Sequence, residues 1–314
     1  MYSMVLHDHL DGGLRPLTAF ELAKKLNYRP LLDCEDVSQF FNRSQSNSLE
    51  EYLEAFTHTI ALMQSFENIE RISYEAAVDM HTDGINYYEC RYAPFYSVND
   101  SLSPENVIKA INSGFKLAEK ELGIFSGIIL CGMRHDLENV NLVSELAIKE
   151  KDNIIGFDIA GPEKGYSPKY FKRSFLKVKE ANINITIHAG EGDGVNSIQD
   201  ALDNGAQRIG HGVRIIEDVD SQTNKLGKTA SKILEDQIPL EVCITSNIHT
   251  NMYKNYEEHP IKILVDLGFN VYLNTDNRLM SNTSIMQELK IAKMLNVKNS
   301  DELLKYSASD SFFK

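Results

Sequence analysis

Two histidines and an aspartate stand close together near the start of the chain, in the stretch VLHDHLDGG at residues 5–13. In an extended strand alternate side chains share a face, so His7, His9 and Asp11 would point the same way. Imidazole nitrogens and carboxylate oxygens are groups that bind zinc in proteins. A plainer interpretation is that one histidine is hydrogen-bonded in the core and the other lies at the surface. The motif alone leaves both interpretations open.

The bulk composition limits the partners of the protein. The chain has 314 residues, of which 42% are hydrophobic and 25% charged, and its formal net charge is −13. This composition is typical of a globular domain. The negative charge disfavours a nucleic-acid partner, because phosphate binding needs a basic surface. No apolar run approaches the ~18 residues of a membrane-spanning helix, so no membrane partner is expected.

The first residues and the cysteines indicate the compartment. The opening MYSMVLHDH lacks the basic and apolar regions of a signal peptide, so we expect a cytoplasmic protein. The cysteines are spread far apart and form no CxxC motif, which suits reduced thiols and excludes a cysteine zinc knuckle. The oligomeric state has no signature in the sequence.

Short apolar or β-branched runs alternate with helical patterns along the chain. The eight predicted strands are 4–9, 85–94, 126–134, 154–161, 184–191, 208–213, 240–247 and 270–276. Helical patterns cover 104–122, 138–151, 197–205, 229–237 and 259–268. Ser103 and Pro104 are expected to start one of these helices, and Gly205 and Gly268 to end two others. The alternation predicts an α/β protein with a single (β/α)8 TIM barrel over residues 1–314.

The segment between the first two predicted strands differs from the later connections. It is much longer than they are, and it carries several helical patterns, at 48–66 and 67–80. TIM barrels tolerate such insertions between strands. We therefore expect a helical insertion over the mouth of the barrel, at about residues 17–83.

Most of the predicted strands end in polar or ionisable residues. The fifth reaches His188, the sixth reaches His211 and the eighth ends at Asp276, while the first carries His7 and His9. In TIM barrels the C-terminal ends of the strands meet on the face that holds the active site. A zinc site of three histidines and one aspartate would be met by His7, His9, His188 and Asp276. This convergence favours the metal interpretation of the first motif.

Six motifs occur in order along the chain: LHDHLDGGLRP, GFDIAGPE, TIHAGEGDG, RIGHGV, TSN and LNTDNRLMS. In their residues, order and spacing they resemble the adenosine deaminases of the amidohydrolase superfamily, over essentially the whole chain. The resemblance implies zinc-dependent hydrolytic deamination of adenosine and 2′-deoxyadenosine to inosine and 2′-deoxyinosine, with release of ammonia. It further implies one zinc ion per chain, bound by His7, His9, His188 and Asp276.

The same resemblance implies roles for the residues around the metal. Glu191 would donate a proton to purine N1, and His211 together with Asp276 would orient the attacking water. Asp158, in the fourth strand, is a candidate for supporting these groups. Substrate contacts are implied for His9, Asp11, Gly161 and Asn277.

One site residue departs from the family pattern. Many members carry a second aspartate after the metal aspartate, and this chain has Asn277. Purine N7 only accepts hydrogen bonds, so a carboxyl at this position must be protonated to donate, whereas an amide donates at any pH. Asn277 therefore keeps the expected contact.

Structural or surface roles are expected for the other histidines, His58, His81, His135, His249 and His259.

Three alternative functions stay open. An adenine deaminase is one, but that branch tends to have glutamate where this chain has Asp11, whose shorter side chain leaves space for ribose and would repel a 5′-phosphate. Another amidohydrolase is the second; a two-metal enzyme is disfavoured because the fourth strand, IIGFDIAG, has no lysine to bridge two metals. The third is a catalytically silent nucleoside-binding barrel, since a fold does not prove activity.

Overall fold

The computed structural model describes residues 3–305 and 310–312 of the chain. Eight parallel strands form its sheet, in the order in which they follow one another along the sequence. Beyond the first and last strands Asp8 pairs with Asp276 in parallel, so the two ends of the sheet meet. The predicted (β/α)8 barrel is confirmed. Its strands are β1 (Met4–Val5), β2 (Tyr87–Tyr92), β3 (Phe125–Met133), β4 (Gly156–Ala160), β5 (Asn184–Ala189), β6 (Arg208–His211), β7 (Leu240–Val242) and β8 (Val271–Leu273).

The long connection between β1 and β2 is helical. Its helices are α1 (Pro16–Leu26), α2 (Arg29–Leu32), α3 (Val37–Phe41), α4 (Leu49–Leu53), α5 (Phe56–Leu62) and α6 (Phe66–Thr82). The last of them packs directly on α7 (Pro104–Leu122), where a Cβ on Gly114 would lie 2.7 Å from the backbone nitrogen of Tyr74. Close packing on α7 places α6 among the helices that surround the barrel, and α1 to α5 precede it.

Further helices lie between the later strands, and the last two follow β8. These are α8 (Leu137–Lys149), α9 (Lys172–Glu180), α10 (Val195–Asp203), α11 (Lys228–Glu235), α12 (Ile244–His249), α13 (Ile261–Asp266), α14 (Arg278–Ser281) and α15 (Ile285–Met294). Helix α7 has its predicted bounds, with Pro104 in its first turn and Ser103 accepting a hydrogen bond from the N–H of Asn106. Gly205 and Gly268 follow α10 and α13 with φ of 89° and 90°, as expected for helix ends.

The predicted boundaries of several elements differ from those of the structure. The predicted strand 240–247 ends at Val242, and the chain turns into α12 at Ile244, because a short buried apolar run fits a strand and a helix equally well. The helical pattern 48–66 is divided into α4 and α5, and Ser65 caps α6 separately by accepting from the N–H of Asn68.

The first strand is also shorter than predicted. The ladder of β1 stops after Val5, because the side-chain oxygen of Asn274 accepts the N–H groups of Leu6 and His7, at 2.7 and 3.0 Å. Isolated bridges then pair Asp8 and His9 with neighbouring chain segments. The Asn274 amide thus replaces part of the sheet at the point where the first histidine leaves it.

Charged side chains fill the interior of the barrel below the strand ends. Arg91 donates to Asp158, at 2.7 Å, and to Glu241. Arg208 donates to Glu241, at 2.7 Å, and to Glu89. Each of these side chains has a partner of opposite charge, and all five residues are at most 1% exposed. These ion pairs hold the carboxylates in fixed positions. Removing one partner would leave the other as an unpaired buried charge, which is strongly destabilising.

None of the helices in the described part of the chain is both long and apolar enough to cross a membrane.

Candidate metal and substrate site

Backbone hydrogen bonds join the ends of the first and last strands at one point of the barrel mouth. The N–H of Asp276 donates to the carbonyl oxygen of His7 at 3.0 Å, and the N–H of His9 donates to the carbonyl of Asp276 at 2.7 Å. His188 lies near the end of β5, and His211 is the last residue of β6. The fold therefore brings together these five residues from four separate parts of the sequence.

Two of these residues have an unusual backbone. His211 and Asp276 both have φ of 59°, in the left-handed region that few residues other than glycine adopt. Such conformations cluster at functional sites, where the surrounding structure holds them in place. Here they turn the chain sharply at the ends of β6 and β8, where both side chains enter the site.

The side-chain atoms that can bind a metal are close to one another. One nitrogen from each of His7, His188 and His211 and one oxygen of Asp276 all lie within 4.8 Å of each other. The Nε2 atom of His9 is 3.1 Å from Nε2 of His188 and 3.4 Å from Oδ1 of Asp276. The cluster thus contains all four of the predicted metal ligands together with His211.

The chemistry of this cluster fits a metal ion. Nε2 of His7 is buried and has no hydrogen-bond partner among the described residues. Burial lowers the pKa of His9 and of His188, which favours neutral rings with a lone pair to share. Neutral imidazoles and a carboxylate are the ligands that zinc binds.

Buried carboxylates orient two of the histidines from behind. Nδ1 of His7 lies 3.0 Å from Oε2 of Glu241, and Nδ1 of His188 lies 2.8 Å from Oδ2 of Asp158. Burial alone would raise the pKa of Asp158, but the neighbouring charges of His188 and Arg91 hold it below its usual range. An ionised carboxylate accepts the Nδ1 hydrogen and leaves Nε2 free to face the centre of the site.

Glu191 lies beside this cluster with the properties of a proton donor. Its Oε1 atom is 3.6 Å from Nε2 of His211. Burial raises the pKa of Glu191 well above its ordinary value, and the negative charges of Asp276 and Glu163 raise it further. Both effects favour the protonated form of the carboxyl group, which can donate a proton.

The loop that carries Glu191 is held by a second carboxylate. Glu163 is 2% exposed and accepts the backbone N–H groups of four successive residues. The distances to the nitrogens of Gly190, Glu191, Gly192 and Asp193 are 2.7, 2.9, 2.6 and 3.0 Å. Four charge-assisted hydrogen bonds on one short loop fix its backbone, and with it the position of the Glu191 side chain.

A cavity of about 420 Å³ opens above these residues. One side is formed by residues at the strand ends, His9, Asp11, Gly161, His188, Glu191, His211, Asp276 and Asn277. The opposite side is formed by helices α4 and α5, through Leu49, Tyr52, Leu53, Phe56, Thr57 and Ile60. The structure thus brings every predicted substrate and catalytic residue to one cavity, and His7 is fully buried behind them.

The sequence is similar to a family model and to proteins whose family is known. A family model described as adenosine deaminase matches residues 3–310. The chain is 43% identical over 300 residues to adenosine deaminase 1 of Streptomyces coelicolor, a match that covers 91% of this chain and 76% of that protein. The chain belongs to the adenosine deaminase family.

Solved structures of other proteins have a fold similar to that of this chain. An adenine deaminase from Arthrobacter aurescens superimposes with a TM-score of 0.86 at 21% identity, covering 98% of this chain and 94% of that one. An amidohydrolase from Burkholderia ambifaria, with bound zinc, gives 0.81 at 20% identity, covering 99% and 82%. At these identities the likeness confirms the fold.

The residues predicted to contact substrate differ in their surroundings. Asp11 is 6% exposed, its Oδ1 atom has no described partner, and burial raises its pKa to about 7. Gly161 has φ of 95°, a conformation that strains any L side chain. Asn277 lies against Gly12, where a Cβ would overlap the amide group. The second residue of the DGG turn must therefore be small for Asn277 to keep its place.

Sequence reasoning missed several residues of this family member's site. Ser246 donates to Oδ2 of Asp276 at 2.5 Å, and Asn247 lies 3.1 Å from Nδ1 of His211. Both belong to the TSN motif, for which the sequence predicted no function. Glu241 and Glu163 carried no signal beyond their positions in a strand and in the AGPE motif.

Proposed function

We propose that this chain catalyses the hydrolytic deamination of adenosine and 2′-deoxyadenosine to inosine and 2′-deoxyinosine, with release of ammonia. The observation that supports this most is the position of Glu191, a buried carboxyl whose Oε1 atom lies 3.6 Å from Nε2 of His211 in a cluster of metal-binding side chains. Attack of water on an adenine ring requires a proton on the ring as well as an activated nucleophile. Glu191 and the cluster would supply these two requirements at one cavity.

We propose one zinc ion per chain, held by His7, His9, His188 and Asp276. Three imidazoles and one carboxylate suit zinc, and an open position for water is typical of catalytic zinc sites. When bound, zinc would supply the Lewis acidity that makes water a nucleophile at neutral pH. His211 lies within the same cluster, but we assign it to the attacking water, because its Nε2 atom also faces Glu191.

The residues of the chain divide the proton transfers between them. Protonated Glu191 would donate to purine N1 as water attacks C6, so that the ring nitrogen accepts the displaced electron pair. His211 and Asp276 would orient the water, with Asp276 itself held by the Ser246 hydroxyl. The proton of the water would then pass by way of the Asp276 carboxylate to the departing amino group.

The cavity favours a nucleoside over a nucleotide. We assign Asp11 to the sugar hydroxyls, the N–H of Gly161 to purine N3 and the amide of Asn277 to purine N7. The described lining residues include three carboxyl groups, Asp11, Glu191 and Asp276, and no lysine or arginine. His135 also lines the cavity, but without a lysine or arginine among the described lining residues a 5′-phosphate would lack a permanently charged partner, so AMP should be refused.

The substrate assignment is tested by comparing kcat/KM for adenosine, 2′-deoxyadenosine, adenine and AMP. We expect adenosine and 2′-deoxyadenosine to be far better substrates than adenine, with AMP essentially unreacted. Asp11→Asn should narrow the gap between adenosine and AMP, and Asp11→Ala should mainly weaken nucleoside binding. If adenine is the best substrate, the sugar role of Asp11 is wrong, and if nucleosides bind without turnover the barrel is catalytically silent.

A further inference from the structure

Two buried residues beside the site connect His211 to a distant part of the backbone. Asn247 in α12 is fully buried, and His259, just before α13, is 4% exposed. A row of three hydrogen bonds runs from the backbone nitrogen of Ile261 through these two side chains to His211. Its lengths are 3.2 Å from Ile261 to His259, 3.1 Å from His259 to Asn247 and 3.1 Å from Asn247 to His211.

The direction of the first hydrogen bond is fixed by the backbone. An amide N–H can only donate, so Nδ1 of His259, which faces the nitrogen of Ile261, must accept with its lone pair. Burial lowers the pKa of His259 to about 3, so the ring is neutral at physiological pH. A neutral imidazole that accepts at Nδ1 carries its hydrogen on Nε2. His259 therefore donates from Nε2 to the side chain of Asn247.

The second and third hydrogen bonds follow from the first. Because Nε2 of His259 donates, the atom of Asn247 that faces it is the amide oxygen. The amide nitrogen of Asn247 then faces Nδ1 of His211, and an amide nitrogen can only donate. Nδ1 of His211 therefore accepts, and the hydrogen of the neutral ring lies on Nε2, the atom that faces the site.

We propose that Asn247 and His259 are positioning residues that hold His211 as the tautomer with its hydrogen on Nε2. The metal-side histidines have the opposite arrangement, because carboxylates of Glu241 and Asp158 face Nδ1 of His7 and His188. Those rings keep their hydrogens on Nδ1 and present lone pairs. Of these three rings in the cluster, His211 alone presents an N–H group.

The position of the ring hydrogen distinguishes His211 from His7 and His188, although all three lie at similar distances within the cluster. A ring whose Nε2 carries hydrogen has no lone pair there for a metal ion, but it donates to an oxygen atom. His211 is therefore suited to hold the attacking water, a consequence that rests on the proposed function. Ser246, the neighbour of Asn247 in the TSN motif, holds Asp276 by a hydrogen bond of 2.5 Å. One short helix, α12, thus orients both groups assigned to the water.

The tautomer is read directly by long-range ¹H–¹⁵N correlation spectra of histidine-labelled, zinc-loaded protein. The signals of His211 are assigned by their loss in His211→Gln. We expect the hydrogen on Nε2 in the wild type. In Asn247→Asp the new carboxylate accepts from Nδ1, so the hydrogen should move to Nδ1. We expect kcat to fall by roughly 10²- to 10⁴-fold, as wrong tautomers do in other enzymes, while KM changes less than about threefold.

Substitutions of His259 test the far end of the row. Glutamine retains an N–H donor for Asn247, whereas leucine removes it, so His259→Gln should keep much more of the wild-type kcat than His259→Leu. The matched control is His249→Gln, a buried histidine of α12 whose Nδ1 has no described partner, and it should alter neither the tautomer nor kcat. Circular dichroism shows which variants fold.

The outcomes separate this proposal from the proposed function. A hydrogen on Nδ1 of His211 in the wild type overturns the tautomer proposal whatever the activity. Equal kcat values for folded His259→Gln and His259→Leu would also overturn it. If the wild type has the Nε2 hydrogen but does not deaminate adenosine, the proposed function fails and the tautomer assignment stands.

Discussion

The two sides of the cavity are built in different ways. The floor, which we define as His9, His188, Glu191, His211 and Asp276, consists of polar groups. The His9 side chain is 13% exposed, and the other four residues are at most 7% exposed. The wall, which we define as Leu49, Tyr52, Leu53, Phe56, Thr57 and Ile60, comes from α4 and α5 and is mostly apolar. Several wall residues are partly exposed to solvent.

The supports of the two sides differ as well. Behind the floor, His188 is held by Asp158 and Asp276 by Ser246, through hydrogen bonds of 2.8 and 2.5 Å. In the wall, the hydroxyl groups of Tyr52 and Ser281 share one hydrogen bond of 2.7 Å. The other wall residues offer mainly apolar contact. The floor is therefore suited to chemistry, and the wall to selecting and covering the substrate. Changes in the floor should therefore lower kcat, and changes in the wall should raise KM.

Of the changes to the two sides of the cavity, Glu191→Gln in the floor should have the largest effect. The amide has nearly the same shape but cannot donate a proton to purine N1, so kcat should fall by about 10³-fold. Zinc content and substrate binding should remain. Steady-state kinetics and metal analysis check this, with Glu50→Gln at an exposed position of α4 as the control. A loss confined to KM would mean that Glu191 only binds substrate.

A smaller effect, on KM rather than on kcat, is expected from Leu53→Ala in the wall. The truncation removes apolar contact with the substrate but leaves the floor intact, so KM should rise about tenfold, or ~1.4 kcal/mol. The value of kcat should change by less than about threefold. Leu176→Ala, at a residue that is 52% exposed in α9, provides a matched control with no expected effect. A large loss of kcat in Leu53→Ala would contradict the division between floor and wall.

The least effect on catalysis is expected from Glu288, which supports the helix behind the floor. This fully buried carboxyl accepts from the N–H of Thr245 at 3.1 Å and from the Thr283 hydroxyl at 2.7 Å. Burial raises its pKa from 4.5 to about 7. The folded chain thus holds this proton more tightly than the unfolded chain, so the stabilisation is complete below pH 4.5 and is lost as the pH rises to about 7.

Glu288→Gln should remove this dependence. Relative to the variant, the wild type should lose up to about 3 kcal/mol of unfolding free energy between those pH values. Urea unfolding across the range measures the difference, with exposed Glu235→Gln as the control. Parallel pH curves for wild type and Glu288→Gln would contradict the assignment, and kcat should change little in either variant.

The floor was largely predictable from the sequence, and the wall was not. His7, His9, His188, His211 and Asp276 stand at the ends of apolar runs, and parallel strands bring such ends together. The helical pattern of 48–66 predicted helices there, but it does not tell which side chains reach the cavity.

The supports of the floor were beyond sequence reasoning for a different reason. Glu241 contacts His7 across 234 residues of chain, and nothing local to either residue indicates the partner. Asn247 was assigned to a strand, because a buried apolar run of this length does not distinguish a strand from a helix. Its place in α12 is what turns the amide toward His211.

Adenosine deamination by this chain should depend on bound zinc. Metal content and ammonia release should be measured on the same preparation, before chelation, after chelation and after zinc is returned. We predict about one zinc per chain, loss of activity on chelation with most of the helical signal kept, and recovery with one equivalent of zinc. Full activity with two metals per chain, or with none, would contradict the account.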